Sequence, residues 1–428
     1  MGCSVSCPVS IAARSSPDAA ALSFGGRTWS WAEVDREVSA VAEGVAPGDR
    51  ISVQAWNSPA LVWLFFACGR GGATFVPLNA RLTEREVEVL RGQLTPSPRP
   101  SPPRGRGSSV LAGLFTSGTT GVAKLVELSE ENFLHSARAN AARLGGEPTQ
   151  RWLGTLPLFH IGGLAMLYRC AVYGASIALE PHFDAERACA AMDEGVTHVS
   201  FVPTMLERVL EVRGSRPFVG VKAALIGGGP MTSATLQRAR AAGLPVLQTY
   251  GLTEACSQVT TELLEEADGL TAGPPLPGVE VRIVDPDTSG VGEIEVRGPT
   301  VARELGPWLK TKDLGLLDSR GRLTVRSRRM DLILSGGENV YPAEVEAILR
   351  EHPSIRDVAV VAREDAQWGQ VPIAVIVATE LDAPSMTAWA RERLASFKVP
   401  RGWIQVEALP RNATGKVDRA ALSVLVRS

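Results

Sequence analysis

The chain has 428 residues, with 44 Lys and Arg against 46 Asp and Glu, a formal net charge of −2. That length allows two to four domains, and the near-neutral balance excludes a generally basic surface for nucleic acid or anionic membrane. Hydrophobic residues at 45% and charged residues at 21% fit an ordinary globular chain that builds its core without disulfides.

In chain order, Trp31 to Val45 reads as a helix opening near Ser30, with Val34, Val38 and Val41 at helical spacing. Ile51–Val53 is a short strand, Leu61–Ala67 a buried helix and Thr74–Leu78 a second strand. Thr83 to Leu90 is an amphipathic helix with a Thr83–Glu86 capping box. Residues 95–109, TPSPRPSPPRGRGSS, hold five Pro, four Ser, three Arg, two Gly and one Thr, so they read as an extended surface linker. Order resumes with the strand VLAGLF at 110–115. Further strand candidates at 177–179, 199–202 and 223–226 alternate with helices, the pattern of parallel βαβ units. From Val279 to Val325 short alternating strands take over. The last hundred residues carry their own α+β pattern: helix 342–352, strands 358–362 and 372–378, helix 385–397 and strand 403–406.

The six cysteines, at 3, 7, 68, 170, 189 and 256, form no CxxC pair and no regular spacing, which suggests neither a zinc site nor a disulfide framework. There is no signal-peptide pattern, and the longest apolar run, Ala60 to Cys68, is too short to span a bilayer. The opening Met1-Gly2-Cys3-Ser4-Val5-Ser6 fits a myristoylation pattern that is short enough to arise by chance. The expectation is a cytoplasmic protein with no membrane insertion.

Four segments carry chemistry. Thr116-Ser117-Gly118-Thr119-Thr120-Gly121-Val122-Ala123-Lys124 follows a strand. Its glycines, hydroxyls and lysine suit a phosphate cradle, although the spacing is not that of a Walker A loop. The competing reading is a plain turn. Only six lysines occur among the 44 basic residues, so one inside this loop weighs against that reading. In Gln248-Thr249-Tyr250-Gly251-Leu252-Thr253-Glu254 an aromatic can stack on a purine, a threonine can donate to phosphate and a glutamate can hold Mg²⁺. A strand end with Thr253 as a helix cap fits equally well. Lys312-Asp313-Leu314-Gly315 and Arg328-Arg329-Met330-Asp331 offer ribose acceptors and donors, or an ordinary charged turn. Pro410 to Arg419 places Lys416 on a tight polar turn, or in a solvated tail.

In this order the four segments resemble the adenylate-forming superfamily of acyl-CoA synthetases, luciferases and adenylation domains, over nearly the whole chain except 91–109. LPLFHIGGL at 156–164, Val202-Pro203-Thr204, QTYGLTEACSQ at 248–258 and SGGENVYPAEVE at 335–346 are most similar to its o-succinylbenzoate–CoA ligase branch of menaquinone biosynthesis. The resemblance implies an α/β fold. A large AMP-binding domain, 1–327, has mixed and parallel sheets sandwiched by helices plus a small β-barrel-like subdomain. A small mobile α+β lid follows at 328–428. Residues 95–109 would replace an ordered strand–helix–strand passage, exposing a sheet edge.

The resemblance further implies an AMP-forming acid–thiol ligase using ATP, Mg²⁺ and CoA, and allows a homodimer. Another aryl- or medium-chain acyl-CoA ligase, or a non-catalytic relative, are the alternatives. By resemblance, Thr116, Ser117, Gly118, Thr119, Thr120, Gly121 and Lys124 cradle the β- and γ-phosphates. Glu254 holds Mg²⁺ and Thr253 touches the α-phosphate. Tyr250 stacks on adenine, flanked by Thr249 and Gly251, with Gly228, Gly229 and Pro230 opposite. Asp313 takes the ribose hydroxyls with Arg328. Lys416 bridges the carboxylate and the α-phosphate. His160, Arg169, Thr204, Gly228 and Ser257 are candidates around the acyl group; Arg169 could equally be a surface residue and His160 a core histidine. Met330 occupies the hinge, and Lys312 stands where relatives usually carry Gly.

Overall fold

The computed structural model describes residues 7–94, 110–117, 123–229, 231, 233–327, 332–410 and 417–426. The expectations for the proline-rich segment, the myristoylation pattern, Pro230, Arg328 and the hinge at Met330 lie outside them. The chain divides into two compact units, the first drawn from Met1–Ala80, Ser97–Leu114 and Val126–Ser327, the second from Arg81–Pro96, Phe115–Leu125 and Arg328–Ser428.

An eight-stranded sheet organises the first unit. Its strands run in the order Ser257–Thr261, Val246–Leu252, Ala223–Ile226, His198–Phe201, Arg151–Gly154, Ser176–Leu179, Ala20–Phe24, Arg27–Ser30. The central strands are parallel, as the βαβ pattern requires, and antiparallel partners close both edges. Trp152, Phe201, Val199 and Leu247 are buried at 2% exposure or less, so both faces of the sheet are covered.

Local sequence sets the helices. Ser30 accepts from the Glu33 amide while the Glu33 carboxylate accepts from the Ser30 amide, so the first long helix starts at Trp31; it ends at Ala42. Helix Pro59–Gly71 extends beyond the apolar run because Ser58 caps it, Pro59 fits its first turn, and Gly72 at φ +75° stops it. Helix Ile161–Tyr173 ends the same way at Gly174, φ +69°.

A four-stranded antiparallel sheet, Glu280–Val284, Gly292–Arg297, Leu309–Leu317 and Leu323–Ser327, follows in the chain. Its Ile294, Val296, Leu309 and Leu323 pack with Tyr250, Ala255 and Val259, tying this sheet to the edge of the large one. A further sheet orders Arg50–Gln54, Thr74–Leu78, Val110–Ser117 and Ala123–Ser129, with Phe75 opposite Ala112.

The second unit has its own core, including Ile333, Val345, Val358, Ala374, Ile376 and Met386. Its sheet orders Glu338–Val340, Ile333–Ser335, Gly369–Ala378 and Ile355–Asp365, with Gly402–Gln405 parallel to Gly369–Ala378. Helix Ala383–Arg393 starts on the Asp382 cap and stops short of the expected 397 because Leu394 is extended. Helix Glu84–Gly92 shows the expected capping box and groups with this unit. Lys398, 6% exposed, reaches Glu86 and Glu344 at 2.7 Å each, and Leu82 packs on the core. Among the described residues no helix is long and apolar enough to cross a membrane.

Candidate active site

The large sheet has a topological switch point. From Arg151–Gly154 the chain passes to Ser176–Leu179 on one side; from His198–Phe201 it passes to Ala223–Ile226 on the other; and the two starting strands are neighbours. A crevice outside the carboxyl ends of such strands is where open α/β sheets take their ligands. His160 stands on the loop after the first of these strands and Thr204 in the first turn of the helix after the second, Pro203–Arg213. Strand Ala223–Ile226 ends at Gly227, Gly228 and Gly229. A Cβ on Gly227 would lie 2.9 Å from Thr249 Cγ2, and one on Gly228 3.0 Å from Val202 Cγ1, with Gly228 at φ +82°. The chain ends carrying Gly228, Thr249 and Thr204 therefore meet at one corner, where Gly227 and Gly228 have little room for a side chain.

Strand Val246–Leu252 leads into a single 3-10 turn, Thr253–Ala255. The turn brings Glu254 to 8% exposure and leaves Thr253 half-buried. The chain then reverses through Cys256 at φ +51° and Ser257 at φ +87°, two consecutive residues in the left-handed region. Such strain persists only where surroundings impose it. Gly251 makes the reversal possible, since a Cβ there would lie 1.8 Å from the Ser257 carbonyl oxygen. The Ser136 hydroxyl fixes the other side, donating to Cys256 O at 2.8 Å.

Thr249 differs from the expectation of a ligand-binding hydroxyl. Its Oγ1 donates to Thr260 O at 2.7 Å and meets Thr261 Oγ1 at 2.9 Å. The chain of bonds continues through Gln258 and Asn140 to Tyr173. Tyr250 is 2% exposed. Its hydroxyl donates to Asp313 Oδ2 at 2.6 Å. Asp313 is aimed inward by a bulge, because Lys310 opposes Glu295 and Leu314 opposes Glu293, leaving three residues against one. Within the bulge Lys312 takes φ +63° and donates its amide to Glu293 Oε1 at 3.1 Å, while Asp313 N donates to Thr311 Oγ1 at 3.1 Å. Lys312, in the position expected for Gly, thus holds a glycine-like conformation.

On the acyl side, His160 is half-buried at the N-terminus of helix Ile161–Tyr173, its ring edge-on to Phe159 at 4.9 Å. Arg169 is 2% exposed, so it is not a surface residue. Its Nε donates to Ala165 O at 3.2 Å, its guanidinium lies 5.2 Å from the Trp152 ring centre, and Nη1 is buried with no hydrogen-bond partner. Burial holds its pKa below the usual arginine value, with the groups of Tyr173, Cys170 and Cys256 opposing that shift. Cys256 directly precedes Ser257. Burial pushes the Cys256 and Cys170 thiols up, so they stay neutral beside the arginine and supply no nucleophile.

Of the phosphate cradle, Thr116 donates to Lys124 O at 3.4 Å, and Lys124 is exposed on strand Ala123–Ser129. Both belong to the second unit. Ser117 ends the preceding strand; Gly118, Thr119, Thr120, Gly121, Arg328 and Lys416 lie outside the described residues. Among the described residues no three His, Cys, Asp or Glu side chains gather as a metal cage. Glu254 fits Mg²⁺ nonetheless, because that ion is usually held by one or two carboxylates together with substrate phosphates and water.

Sequence reasoning missed Asn57, 2% exposed, whose amide ties together the loops around His160. The only available signal was a polar residue just before the Ser58-Pro59 helix start, which reads as a turn.

The AMP-binding enzyme family matches residues 9–97 and 88–305, and its C-terminal domain matches 344–416. The first match breaks where the proline-rich segment begins. The chain is 34% identical over 459 aligned positions to the 2-succinylbenzoate–CoA ligase of Listeria monocytogenes, covering 96% of this chain and 97% of that enzyme. It is also similar to o-succinylbenzoate CoA synthetase from Bacillus subtilis, in a double-mutant form bound to a product analogue. The TM-score there is 0.89 with 32% identity, and 97% of each chain is covered. A malonyl-CoA ligase product complex with methylmalonyl-CoA and AMP matches with a TM-score of 0.82 at 27% identity, covering 92% of this chain and 97% of that one.

Proposed function

This chain belongs to the AMP-binding enzyme family, and from that premise we propose that it is an ATP-dependent ligase that converts 2-succinylbenzoate to its CoA thioester through an acyl-adenylate. The two half-reactions make different physical demands. In the first, a carboxylate attacks the α-phosphate of ATP and pyrophosphate leaves, so two anions must be held together while charge grows at phosphorus. Thr116 to Lys124 and Thr253 supply donors and positive charge to the phosphates. Glu254 would hold Mg²⁺, which when bound would neutralise phosphate charge. Asp313, fixed by Tyr250, accepts from the ribose hydroxyls, and Lys416 joins the carboxylate to the α-phosphate. In the second half-reaction the CoA thiol displaces AMP. ATP and CoA as co-substrates support a cytoplasmic location.

The observation that carries the substrate reading is Arg169. Among the described residues the buried guanidinium has no counter-ion, and its Nη1 has no hydrogen-bond partner, an arrangement that is costly until an anion arrives. A substrate with one reacting carboxylate and one spectator carboxylate provides that anion, with His160, Thr204, Gly228 and Ser257 shaping the rest of the acyl pocket. The test is pyrophosphate release across a panel of 2-succinylbenzoate, the same skeleton without its second carboxylate, and medium-chain fatty acids. Strong preference for the dicarboxylate is expected; preference for a monocarboxylate contradicts the reading. Lys416→Ala lowers pyrophosphate exchange about 10²–10³-fold, the loss expected for one preorganised donor; exchange near the wild-type rate removes Lys416 from its role.

A further inference from the structure

The loop from Thr155 to His160 leaves the sheet at the switch point, and it is held by a residue far away in sequence. Asn57 lies between strand Arg50–Gln54 and helix Pro59–Gly71 and is 2% exposed. Its Nδ2 donates to Leu156 O and to Glu180 O, each at 3.1 Å, and its Oδ1 accepts from the Leu158 amide at 2.8 Å. Leu156 and Leu158 belong to the loop leading to His160, and Glu180 follows the neighbouring strand Ser176–Leu179. One side chain thus satisfies three backbone groups from the ends of two adjacent strands, using both its donors and one acceptor. Two other contacts narrow the loop's freedom. A Cβ on Gly163 would stand 2.4 Å from Pro157 O, so the helix start presses directly on the loop backbone. Trp56, beside Asn57 in the chain, meets the Phe159 ring edge-on at 6.0 Å. His160 ends this loop and directly precedes helix Ile161–Tyr173, so the loop backbone sets where it enters the site.

We infer that Asn57 is a positioning residue for the acyl half of the site: its amide sets the loop that places His160, and through it the fit of the carboxylate substrate. The inference rests on the ligase reading above for the identity of the substrate, but not for the loop geometry. Removing the amide leaves two buried carbonyls and one amide unpaired, which frees the loop.

Asn57→Ala is expected to raise hydrogen exchange in 155–160 while segments far from the loop keep their protection. It should also lower kcat/KM for the carboxylate about 10–100-fold with the KM for ATP within twofold. Asn57→Asp adds a readout that general destabilisation does not reproduce. Its carboxylate faces two carbonyl oxygens and repels them; protonated, it regains one donor while still accepting from Leu158. The ratio of variant to wild-type activity should therefore rise on acidification. His160, His182, Glu180 and Arg187 lie on the elements around this corner and are present in both proteins, so the ratio isolates position 57.

A flat ratio, equal losses toward ATP and carboxylate, or unchanged exchange in 155–160 each overturn the inference. Kinetics are run on whichever panel acid the wild type uses. A wild type that ignores 2-succinylbenzoate thus refutes the substrate, while the exchange measurement still decides Asn57.

Discussion

Replacing Arg169 by Met separates stability from function. In the free protein the guanidinium is 2% exposed, has one hydrogen bond, from Nε to Ala165 O at 3.2 Å, and lies 5.2 Å from the Trp152 ring centre. Losing that bond and the ring contact costs about 1 kcal/mol each. Exchanging a buried, uncompensated charge for an apolar side chain of similar length returns about 1–4 kcal/mol. The balance runs from about 1 kcal/mol of destabilisation to about 2 kcal/mol of stabilisation. With substrate bound the change is a loss, because truncating one partner of a buried charge pair costs roughly 2–5 kcal/mol, about 30-fold to several thousand-fold in affinity. Steady-state pyrophosphate release gives kcat/KM for 2-succinylbenzoate and for the analogue lacking the second carboxylate, and urea unfolding gives the stability change. Arg169→Met should abolish the preference for the dicarboxylate while stability falls by no more than about 1 kcal/mol. A variant that is destabilised by several kcal/mol and keeps its preference would make Arg169 a structural residue and refute the reasoning.

Three other substitutions probe the framework of the site. Gly251→Ala drives a Cβ to within 1.8 Å of Ser257 O, a clash with backbone that costs about 3 kcal/mol and displaces Thr253 and Glu254. Urea unfolding should show that loss together with reduced adenylation, and wild-type activity would contradict it. Lys312→Gly relieves a left-handed residue at φ +63°, worth about 1–2 kcal/mol, less about 0.4–1 kcal/mol of added unfolded-state entropy. A small stabilisation is expected in urea, and a loss would mean that the lysine side chain holds the bulge. His198 is pushed down from 6.5 to about 4, chiefly by burial, with Lys222 and Arg169 adding to it. The unfolded chain takes up its proton near 6.5 and the folded chain only near 4, so this contribution is present above 6.5 and is lost as pH falls between those values. It amounts to about 3 kcal/mol at 1.36 kcal/mol per unit. His198→Phe, which keeps a ring against Trp152, should flatten that acid loss; an unchanged slope assigns it elsewhere.

Local signals carried much of the fold. The Thr83–Glu86 capping box, the all-apolar strand Ala223–Ile226 and strand Thr74–Leu78 depend on neighbours in sequence, and all three appear where their residues place them. Strand Ser257–Thr261 was not legible. Its SQVTT sequence is polar yet largely buried, and what makes it a strand is the bonding of Thr249, Thr261, Gln258 and Asn140 across the fold. Motifs marked positions just past strand ends, and Glu254 and Gly228 stand there. Their roles were less legible. Tyr250 reads as a stacking ring, and nothing in its local sequence announces that Asp313, 63 residues away, takes its hydroxyl. Arg169 could be a surface residue on sequence alone, because helix spacing does not reveal that Trp152 covers it. Lys312 was conspicuous as a lysine in place of Gly, and its φ supplies the reason.

The most direct measurement of the central claim is product formation by the purified chain with ATP, Mg²⁺, CoA and 2-succinylbenzoate, followed by mass spectrometry for the CoA thioester and by AMP release. The account predicts one AMP per thioester formed and none without ATP. Absence of thioester from this acid, with another acid turned over under the same conditions, would contradict it.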